Sequence, residues 1–467
     1  MNLRDSLEGL GAFWKEFSKN KTGLVGLGLL AVFVLLGLFG TLVVPFPGAI
    51  DHWRDIGFWQ DNPQAAPPVW TNWFAKRKGV VSSVLDRAQA EESTLDSGAR
   101  VSSLTFDYDF GYDLPPRDVV VRFEGSGLVP VTITLERPDG LVAELYRAQL
   151  ELSEGDVQRV SLARNCSQEV VEFLRASDEA LAASLDADLV KPVSLLFSRL
   201  SPGMAESPEA LKGAYRLKVN AFLFSEDARL AKASAVVSGH VSGIFGTDMA
   251  KRDVFTGLVI GIRWALVIGL LTSIVTVMAG VLLGVTAAYM GGATDWLLSR
   301  LYELIFLMPV LPFLIVVSAI FKPTIWTLIL IICLFFWAGP FKPVYSMALQ
   351  IKEETFVEAS RALGSRSWRI ILRHIIPILL PYSFASMALA IPSVIVYEAS
   401  VSLLGLGDSS IVTWGQLLND ALGQGAVINQ LWWWVVPPGL MIALMGMSFA
   451  FLGTALDKIL HPKLKTR

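Results

Sequence analysis

The sequence predicts an α-helical integral membrane protein with six transmembrane helices and a mixed, β-rich extracytoplasmic domain between the first two. The 467 residues are 53% hydrophobic and only 17% charged, with a mean hydropathy of +0.52. The apolar residues are concentrated in blocks, and a bilayer requires about 20 apolar residues per helix. Between the first and second blocks lies a long stretch of mixed polar character, which can bury a core of its own.

Six apolar blocks qualify as membrane spans by length. They lie at roughly 23–45, 262–288, 299–320, 325–348, 379–405 and 433–456. The first block lacks a small-residue cleavage site, so we interpret it as an uncleaved signal anchor. The predicted domains are an amphipathic N-terminal helix at 1–22, a first span at 23–45, an inserted domain at 46–243, a transmembrane core at 244–456 with a polar loop at 350–377, and a tail at 457–467.

The distribution of charge predicts the orientation of these blocks. The net charge is −3, yet residues 51–245 hold 20 Lys and Arg against 28 Asp and Glu. The basic residues elsewhere cluster in the N-terminal lead, in the loop at 347–376 and in the tail. Because short positively charged loops stay in the cytoplasm, we expect both termini and this loop to be cytoplasmic, with residues 46–243 outside a plasma (inner) membrane.

The inserted domain has the pattern of a mixed, strand-rich fold. Turn residues at 125–127 and 138–140 separate alternating apolar stretches. A Trp- and Pro-rich stretch at 53–74 precedes them and either lies along the membrane surface or braces the domain. The predicted strands are Val119–Phe123, Val129–Leu135, Leu141–Leu150, Tyr215–Phe224 and Ala233–Val241, with a helix over 168–190.

The sequence predicts no catalytic site, no metal site and no cofactor bound by this chain. Its four histidines are dispersed without metal-ligand spacing. Its two cysteines, Cys166 and Cys333, fall in different regions and are not expected to pair. No phosphate-binding loop is found. If this protein moves something uphill, the energy must therefore come from elsewhere.

Polar residues within the spans have two interpretations. Arg263, Arg300, Glu303 and Lys342 lie near predicted span ends, where snorkelling or pairing with neighbours accounts for them. Glu398 lies deeper, and intramembrane charges are functional candidates. The sequence leaves open whether Glu398 lines a polar pathway or hydrogen-bonds a neighbouring helix.

The polar loop has the pattern of a helix, a bend and a second helix. Acidic residues favour the start of a first helix over Lys352–Leu363. Gly364 ends it, and Ser365 or Ser367 caps a second helix that stops at Pro377. A slender helix with a fixed bend can seat in a groove and transmit a rigid-body movement. An ordinary basic loop that satisfies membrane topology is the alternative.

A second polar cluster stands just before the second span. Asp248, Lys251, Arg252 and Asp253 lie within the stretch from Phe245 to Leu266. These charges can pair with one another at the membrane boundary. The alternative is a solvated junction with snorkelling cations.

The polar loop resembles the EAA loop of ABC-importer permeases. Glu358, Ala359, Gly364 and Pro377 fall in register with its pattern, while Ser360, His374 and Ile376 depart from it mildly. The stretch at 245–266 is similar to the segment before the second span in the dipeptide/oligopeptide/nickel subgroup, with Lys251 where that segment has Gly. The motifs YEASVSLLGLG, TWGQLLNDA and WWWVVPPGL resemble its C-terminal half in the same order.

This resemblance implies the C-type permease subunit of a peptide importer. It implies a heterodimer with a homologous B-type permease, two P-loop ATPases carrying ATP and Mg²⁺, a solute-binding protein, membrane lipid around the spans, and no nucleic acid. The residues that would contact an ATPase are Glu358, Ala359, Ser360, Gly364, Arg366 and Pro377. Oligosaccharides and nickel complexes remain alternative cargoes. A membrane sensor or a secondary transporter is a remote alternative, since neither an output domain nor an acidic relay is evident.

Overall fold

The computed structural model describes residues 13–95, 100–166, 168, 170–172, 191–201, 208–225, 227–321 and 324–460. The chain forms two compact units, Met1–Asp51 with Thr256–Arg467, and His52–Phe255. The first is helical and the second is rich in strands. Of the predicted N-terminal helix, residues 13–17 are helical and 1–12 lie outside the described residues, as do most of the predicted helix at 168–190 and the tail after 460.

The named helices of the helical unit follow a short helical stretch at 13–17. They are α1 (Lys21–Val43), α2 (Val254–Met290), α3 (Gly292–Leu307), α4 (Val310–Ile320), α5 (Ile325–Phe336), α6 (Ala338–Lys352), α7 (Thr355–Ala362), α8 (Ser367–Ile370), α9 (Ile376–Leu403), α10 (Trp414–Gly423) and α11 (Trp432–Leu460). Five helical stretches are long and apolar enough to cross a membrane: Lys21–Val43, Val254–Met290, Ile325–Lys352, Ser367–Leu403 and Trp432–Ile459.

The predicted third span is not a single straight helix. Helices α3 and α4 meet at an angle of 76°. The break falls at Met308 and Pro309, which are extended rather than helical. Proline lacks an N–H and pushes the residue before it out of the helical conformation, which explains the bend. Among the described residues there are therefore five helices long and apolar enough to cross a membrane, or six if the bent pair is one span.

Small residues allow the long helices to approach each other closely. A side chain on Gly261 would lie 2.6 Å from the ring of Trp414, whose indole N–H donates to the Leu258 carbonyl at 2.9 Å. A side chain on Gly280 would lie 2.7 Å from the Trp337 carbonyl oxygen. Such contacts agree with the small-residue interfaces common in membrane helix bundles.

The second unit is built on an antiparallel sheet. Along the sheet the strands follow the order β1-β8-β4-β7-β3-β2, and β5 and β6 both pair with β4. Their bounds are β1 (Ser83–Leu85), β2 (Gln89–Thr94), β3 (Arg100–Phe110), β4 (Asp118–Glu136), β5 (Val142–Leu152), β6 (Val157–Ser161), β7 (Gly213–Leu223) and β8 (Arg229–Ser238). The predicted β-rich character of this region is confirmed.

Strand β4 corrects one prediction and confirms another. The glycine-rich stretch at 125–127 is not a turn, because β4 runs through it without reversing. The register with β8 shifts at Glu124 and Gly125, and Gly127 adopts a φ of +84°, so the stretch bends one strand between two sets of partners. The predicted alternation in the second half of β4 is confirmed, since Val131, Ile133 and Leu135 are buried.

His240 follows β8 and is half-buried, with its amide donating to the Val80 carbonyl at 2.8 Å. Burial lowers the pKa of this imidazole to about 4, and the positive charges of Arg117 and Lys191 add to the effect. The folded domain therefore excludes a proton that the unfolded chain binds at an ordinary pKa of about 6.5.

We expect this histidine to destabilise the domain in acid. Between pH 6.5 and 4 the unfolded chain binds the proton more readily than the folded one, so stability falls as the pH falls through this range. Unfolding of the full chain in detergent, followed from pH 7 to 4, should show a shallower decline in a His240→Gln variant than in the parent. His52→Gln, at an exposed position, is the control. Equal slopes in all three proteins would contradict the assignment.

Candidate functional site

The loop at 350–377, called the coupling segment below, is a helix, a bend and a second helix, as its sequence predicts. The first helix is shorter than the predicted Lys352–Leu363, because a turn at 353–354 separates α6 from α7. Gly364 follows α7 with a φ of +78°, a left-handed conformation that favours glycine. Its amide donates to the Arg361 carbonyl at 3.0 Å.

The second half of the coupling segment differs from the prediction in two ways. No serine side chain caps α8; Arg366 occupies the cap position without a side-chain hydrogen bond. Pro377 does not end the second helix either, since the helical path continues from Ser367 to Leu403. A π-helical turn over Ile371–Ile375 lies just before Pro377 in the sequence. This wider turn accommodates the missing N–H and the bulk of the proline ring.

The two faces of the coupling segment have opposite character. Glu358, Ala359, Gly364, Arg366 and Pro377 are exposed, and Ser360 is partly exposed. Val357 is 0% exposed, although it is the neighbour of Glu358. It lies in a buried cluster with residues of α2, α6 and the 367–403 helix, namely Val281, Val285, Ala288, Tyr289, Val344, Ala348, Ile370, Ile371 and Ile375.

One polar contact strengthens this attachment, and a second fixes the end of the neighbouring helix α6. The guanidinium of Arg361 lies 5.5 Å from the centre of the Tyr289 ring, in a cation–π arrangement. The Lys352 ammonium donates to the carbonyl of Ala288 at 3.2 Å. Helix α7 is thus fixed to the end of α2 on one side and exposes the predicted motif on the other. Sequence reasoning missed Val357, whose signal is that it is the only branched aliphatic residue of α7.

Substitutions at Gly364 should test the bend without steric interference, because a side chain there would meet no atom within 4 Å. We expect Gly364→Ala to disfavour the bent form by about 1–2 kcal/mol and Gly364→Val by more, since left-handed backbone is costly for L-residues. Gly364→Asn should retain most of the parent's transport rate, because asparagine tolerates this conformation. Transport rates ranked Asn, Ala, Val would support the bend; equal rates would contradict it.

The second predicted site, which belongs to the strand-rich unit, is a buried ion pair. Asp248 is 1% exposed and Arg252 is 6% exposed. The Arg252 Nε donates to Asp248 Oδ2 at 2.6 Å, and the Arg252 amide donates to Oδ1 at 2.8 Å. The guanidinium also stacks over Trp53, 4.9 Å from the ring centre. Burial raises the pKa of the Asp248 carboxyl, and Arg252 opposes that rise. Of the two interpretations left open by the sequence, the structure has the paired one for Asp248 and Arg252, which are buried rather than solvated.

Lys251 and Asp253 complete this site, called the junction below. Lys251 has a φ of +67°, which explains why a glycine suits this position in the segment it resembles. Its ammonium donates to the Gln60 carbonyl at 3.0 Å, and its own carbonyl accepts from the Asn62 amide at 3.1 Å. Asp253 is buried, with its carboxyl against Gly243. The junction therefore joins residues 248–253 to the chain at 53–66.

Glu398 is buried within α9 and makes local hydrogen bonds. The Ser402 hydroxyl donates to its Oε1 at 2.8 Å, and Thr413 hydrogen-bonds the same carboxyl. Thr413 also accepts from the Gln416 amide at 3.2 Å and so caps α10. Glu398 thereby joins α9 to the start of α10. This arrangement agrees with the second interpretation of its sequence, in which Glu398 hydrogen-bonds a neighbouring helix.

The other charged residues of the spans have partners. Arg263 donates to the Gly37 carbonyl at 2.7 Å, and Arg300 pairs with Glu303. The Lys342 ammonium lies over the rings of Tyr302 and Tyr345. Cys166 and Cys333 are both free thiols, as predicted. Among the residues that the structure describes, no group of His, Cys, Asp or Glu side chains could hold a metal ion.

Spanning helices joined to an exposed, firmly seated helical bend define this protein as an integral membrane permease. Comparison with known families agrees. Residues 280–466 match the family described as binding-protein-dependent transport system inner membrane component. Residues 10–68 match the N-terminal transmembrane domain of oligopeptide transport permease C. The chain belongs to this family, as a dipeptide/oligopeptide ABC permease with a long, strand-rich N-terminal region.

Similar proteins carry related names. The chain is 32% identical over 222 residues to the dipeptide transport system permease protein of Bacillus subtilis (strain 168), covering 47% of this chain and 69% of that protein. It is 32% identical over 238 residues to the oligopeptide transport system permease protein of Haemophilus influenzae, covering 51% and 75%. It is 30% identical over 222 residues to the glutathione transport system permease protein of Pectobacterium atrosepticum, covering 47% and 73%.

Proposed function

We propose that this chain is the C-type membrane subunit of an ATP-driven importer for short peptides, which an extracytoplasmic binding protein delivers. The names of its relatives support a peptide cargo, since dipeptide, oligopeptide and glutathione permeases are all peptide carriers by name. None of the relatives named above is called an oligosaccharide or nickel permease. The partners would be a B-type permease and two P-loop ATPases that carry ATP and Mg²⁺.

The observation that carries the proposal is the two-faced coupling segment. Its exposed face presents Glu358, Gly364 and Arg366 for a partner, while Val357 anchors the opposite face. A movement of the partner would therefore reach α2 and the 367–403 helix directly through the buried cluster. We propose that ATP-driven closure of the ATPases shifts the helices between inward-open and outward-open states, each favoured by differential binding.

The charge pattern supports an orientation with six spans. If the bent α3–α4 pair crosses the membrane once, the basic N-terminal end of α1 lies on the same side as the basic coupling segment. The lysines at that end are Lys15, Lys19 and Lys21. If the pair re-enters on one side, these two basic regions lie on opposite sides. The tendency of positive charge to remain in the cytoplasm favours the first arrangement. We propose cytoplasmic termini and an extracytoplasmic domain at 46–243, inserted between the first two spans.

We propose that Glu398 is a structural hydrogen-bonding residue rather than a residue of the pathway. Its carboxyl is engaged by Ser402 and Thr413. Ser402 lies one turn further along α9, and Thr413 caps α10, so the carboxyl connects α9 to α10 through Thr413.

The inserted domain has a natural boundary for deletion. The chain enters the sheet of this domain near Ser82, whose hydroxyl accepts from the Gly239 amide at 2.9 Å, and Val81 pairs with Val241 where the chain leaves the sheet. We propose that the domain docks the binding protein or the partner permease, or covers the entrance. Joining 82 to 239 by a short glycine linker would preserve the junction. Transport with an unchanged apparent affinity for the binding protein would rule out docking.

Purification of the tagged chain from its native membrane would test the subunit assignment. We expect a second multi-span permease and P-loop ATPases in fixed ratio, identified by mass spectrometry. Gly364→Pro should abolish recovery of the ATPases, because proline fixes φ near −65° and the native φ is +78°. Gly364→Asn is the matched control. Recovery of the parent chain alone would contradict the proposal.

A further inference from the structure

The strand-rich unit has an exposed aromatic surface next to a run of cations. Trp73 and Phe74 are each 81% exposed, and Ile244 is 55% exposed. The three residues that follow Ala75, namely Lys76, Arg77 and Lys78, are exposed as well. We call this group of residues, together with Trp70, the aromatic–basic surface. A contiguous patch of large, exposed apolar side chains marks an interaction site.

The fold holds the members of this surface together. Trp70 and Trp73 belong to a short 3₁₀ helix, Val69–Trp73, in which residues three apart eclipse each other. The Trp70 indole N–H donates to the Ile244 carbonyl at 2.9 Å, and the Val69 amide donates to the Gly243 carbonyl at 3.0 Å. The aromatic segment and Ile244 are therefore fixed side by side.

The aromatic–basic surface is also close in sequence to a helix that is long and apolar enough to cross a membrane. Ile244 stands ten residues before Val254, where the spanning helix α2 begins. The ring of Phe245, next to Ile244, stacks on Phe255 in the first turn of that helix, with ring centres 6.2 Å apart. This contact fixes Phe245, and with it the adjacent Ile244, to the first turn of α2.

The charge of the aromatic–basic surface indicates which kind of binding partner it fits. Residues 51–245 as a whole carry more acidic than basic groups, with 28 against 20. Three consecutive cations lie beside Trp73 and Phe74. The Arg77 guanidinium donates to the Asp113 and Pro208 carbonyls and the Lys78 amide to the Asp113 carboxylate, so Asp113 borders the basic run on one side. Tryptophan and phenylalanine with adjacent lysine or arginine are the composition that binds at the level of lipid headgroups. Each cation near an anionic bilayer surface contributes attraction for acidic headgroups.

We propose that the aromatic–basic surface binds the bilayer surface itself, with Trp73 and Phe74 at the headgroup level and Lys76, Arg77 and Lys78 on acidic phospholipid headgroups. The strand-rich unit is thereby attached to the membrane at a point other than its two chain connections. The attachment does not depend on which solute the permease carries, and it restricts the tilt of the unit above the bilayer.

The test uses the full chain in vesicles of phosphatidylcholine with phosphatidylglycerol. An environment-sensitive fluorophore is attached at Phe74→Cys or, as a second variant, at Ile244→Cys, in a Cys166→Ala, Cys333→Ala background. Leu128→Cys, on an exposed position of β4, is the control. We expect nitroxide-labelled lipid to quench the labels at 74 and 244 at least threefold more than the label at 128, and aqueous iodide to show the reverse order.

Charge dependence provides the second part of the test. Omitting phosphatidylglycerol, or introducing Lys76→Glu with Lys78→Glu, should lower lipid quenching at position 74 at least twofold and leave position 128 unchanged. Iodide quenching at 74 and 244 equal to that at 128 would overturn the proposal, because the surface would then lie in water. Protection that arises only after a binding protein or a second permease is added would also overturn it, in favour of a protein partner.

Discussion

Replacing Arg252 with alanine is expected to destabilise the junction by about 3–5 kcal/mol. The substitution removes the guanidinium that pairs with Asp248 at 2.6 Å and stacks on Trp53. Asp248, 1% exposed, is then left as a buried carboxylate without its cation. Breaking one partner of a buried pair is costly for this reason, even where the intact pair contributes little net stability.

Hydrogen exchange of the full chain in detergent measures this effect locally. The amides of Ala65, Thr247 and Asp248 are hydrogen-bonded across the junction. A loss of 3–5 kcal/mol would accelerate their exchange by roughly a hundredfold to a few thousandfold. Peptides from the β4–β7 pairing should be unaffected. Arg54→Ala, which removes an exposed arginine, should change exchange little.

A double variant and a pH series separate charge from packing. Asp248→Asn combined with Arg252→Ala should be less destabilised than Arg252→Ala alone, because no charge is left buried. The Arg252→Ala penalty should also shrink as the pH falls. Without the guanidinium the pKa of Asp248 rises further, and the folded state then binds a proton that the unfolded chain releases. A penalty that is independent of pH and equal in both variants would contradict the buried-pair account.

Replacing Val357 with aspartate is expected to reduce ATP-driven uptake at least about a hundredfold. Val357 is the buried contact between α7 and the cluster that includes Val281, Ala348 and Ile371. A carboxylate in that position costs several kcal/mol without a partner, which is more than enough to displace α7. The exposed motif would then move independently of α2, so hydrolysis in the ATPases would no longer drive the helices.

Graded substitutions at the same position provide the controls. Val357→Ala keeps the site apolar and should lose about 1–2 kcal/mol of packing, with uptake reduced only a few-fold. Val357→Thr, similar in shape but with one hydroxyl, should fall between the two. Uptake and ATP hydrolysis are measured together in vesicles that contain the whole complex. Unchanged uptake in Val357→Asp would show that the buried cluster does not transmit movement.

Sequence patterns predicted the spans well because hydropathy measures what the bilayer selects. Five of the six predicted blocks coincide with long apolar helices. The remaining block, the predicted third span, is bent because Pro309 interrupts the helix, and average hydropathy does not detect such a break. The opposite error occurred at Pro377, where a π-helical turn allows the helix to continue. Whether a proline ends, bends or merely modifies a helix depends on neighbouring turns that the sequence does not specify.

Local chemistry was predicted where it depends on adjacent residues and missed where it depends on the fold. The pairing of Asp248 with Arg252 spans four residues, so sequence spacing indicates it. The burial of Arg137 does not follow from spacing. Its guanidinium donates to carbonyls of Leu196 and Ser198, about sixty residues away along the chain. Val357 is similar, since only the packing of α2 and α6 around it makes it a buried contact.

Photo-crosslinking at the bend tests the central claim most directly. Leu363 is 87% exposed beside Gly364, and a benzoylphenylalanine placed there would face whatever partner the coupling segment contacts. Irradiation of native membranes should give an adduct with a P-loop ATPase, identified by mass spectrometry, and none from the same label at Leu128. Adducts from position 363 that contain lipid or this chain alone, in membranes where the importer is active, would contradict the assignment of this segment as the ATPase contact.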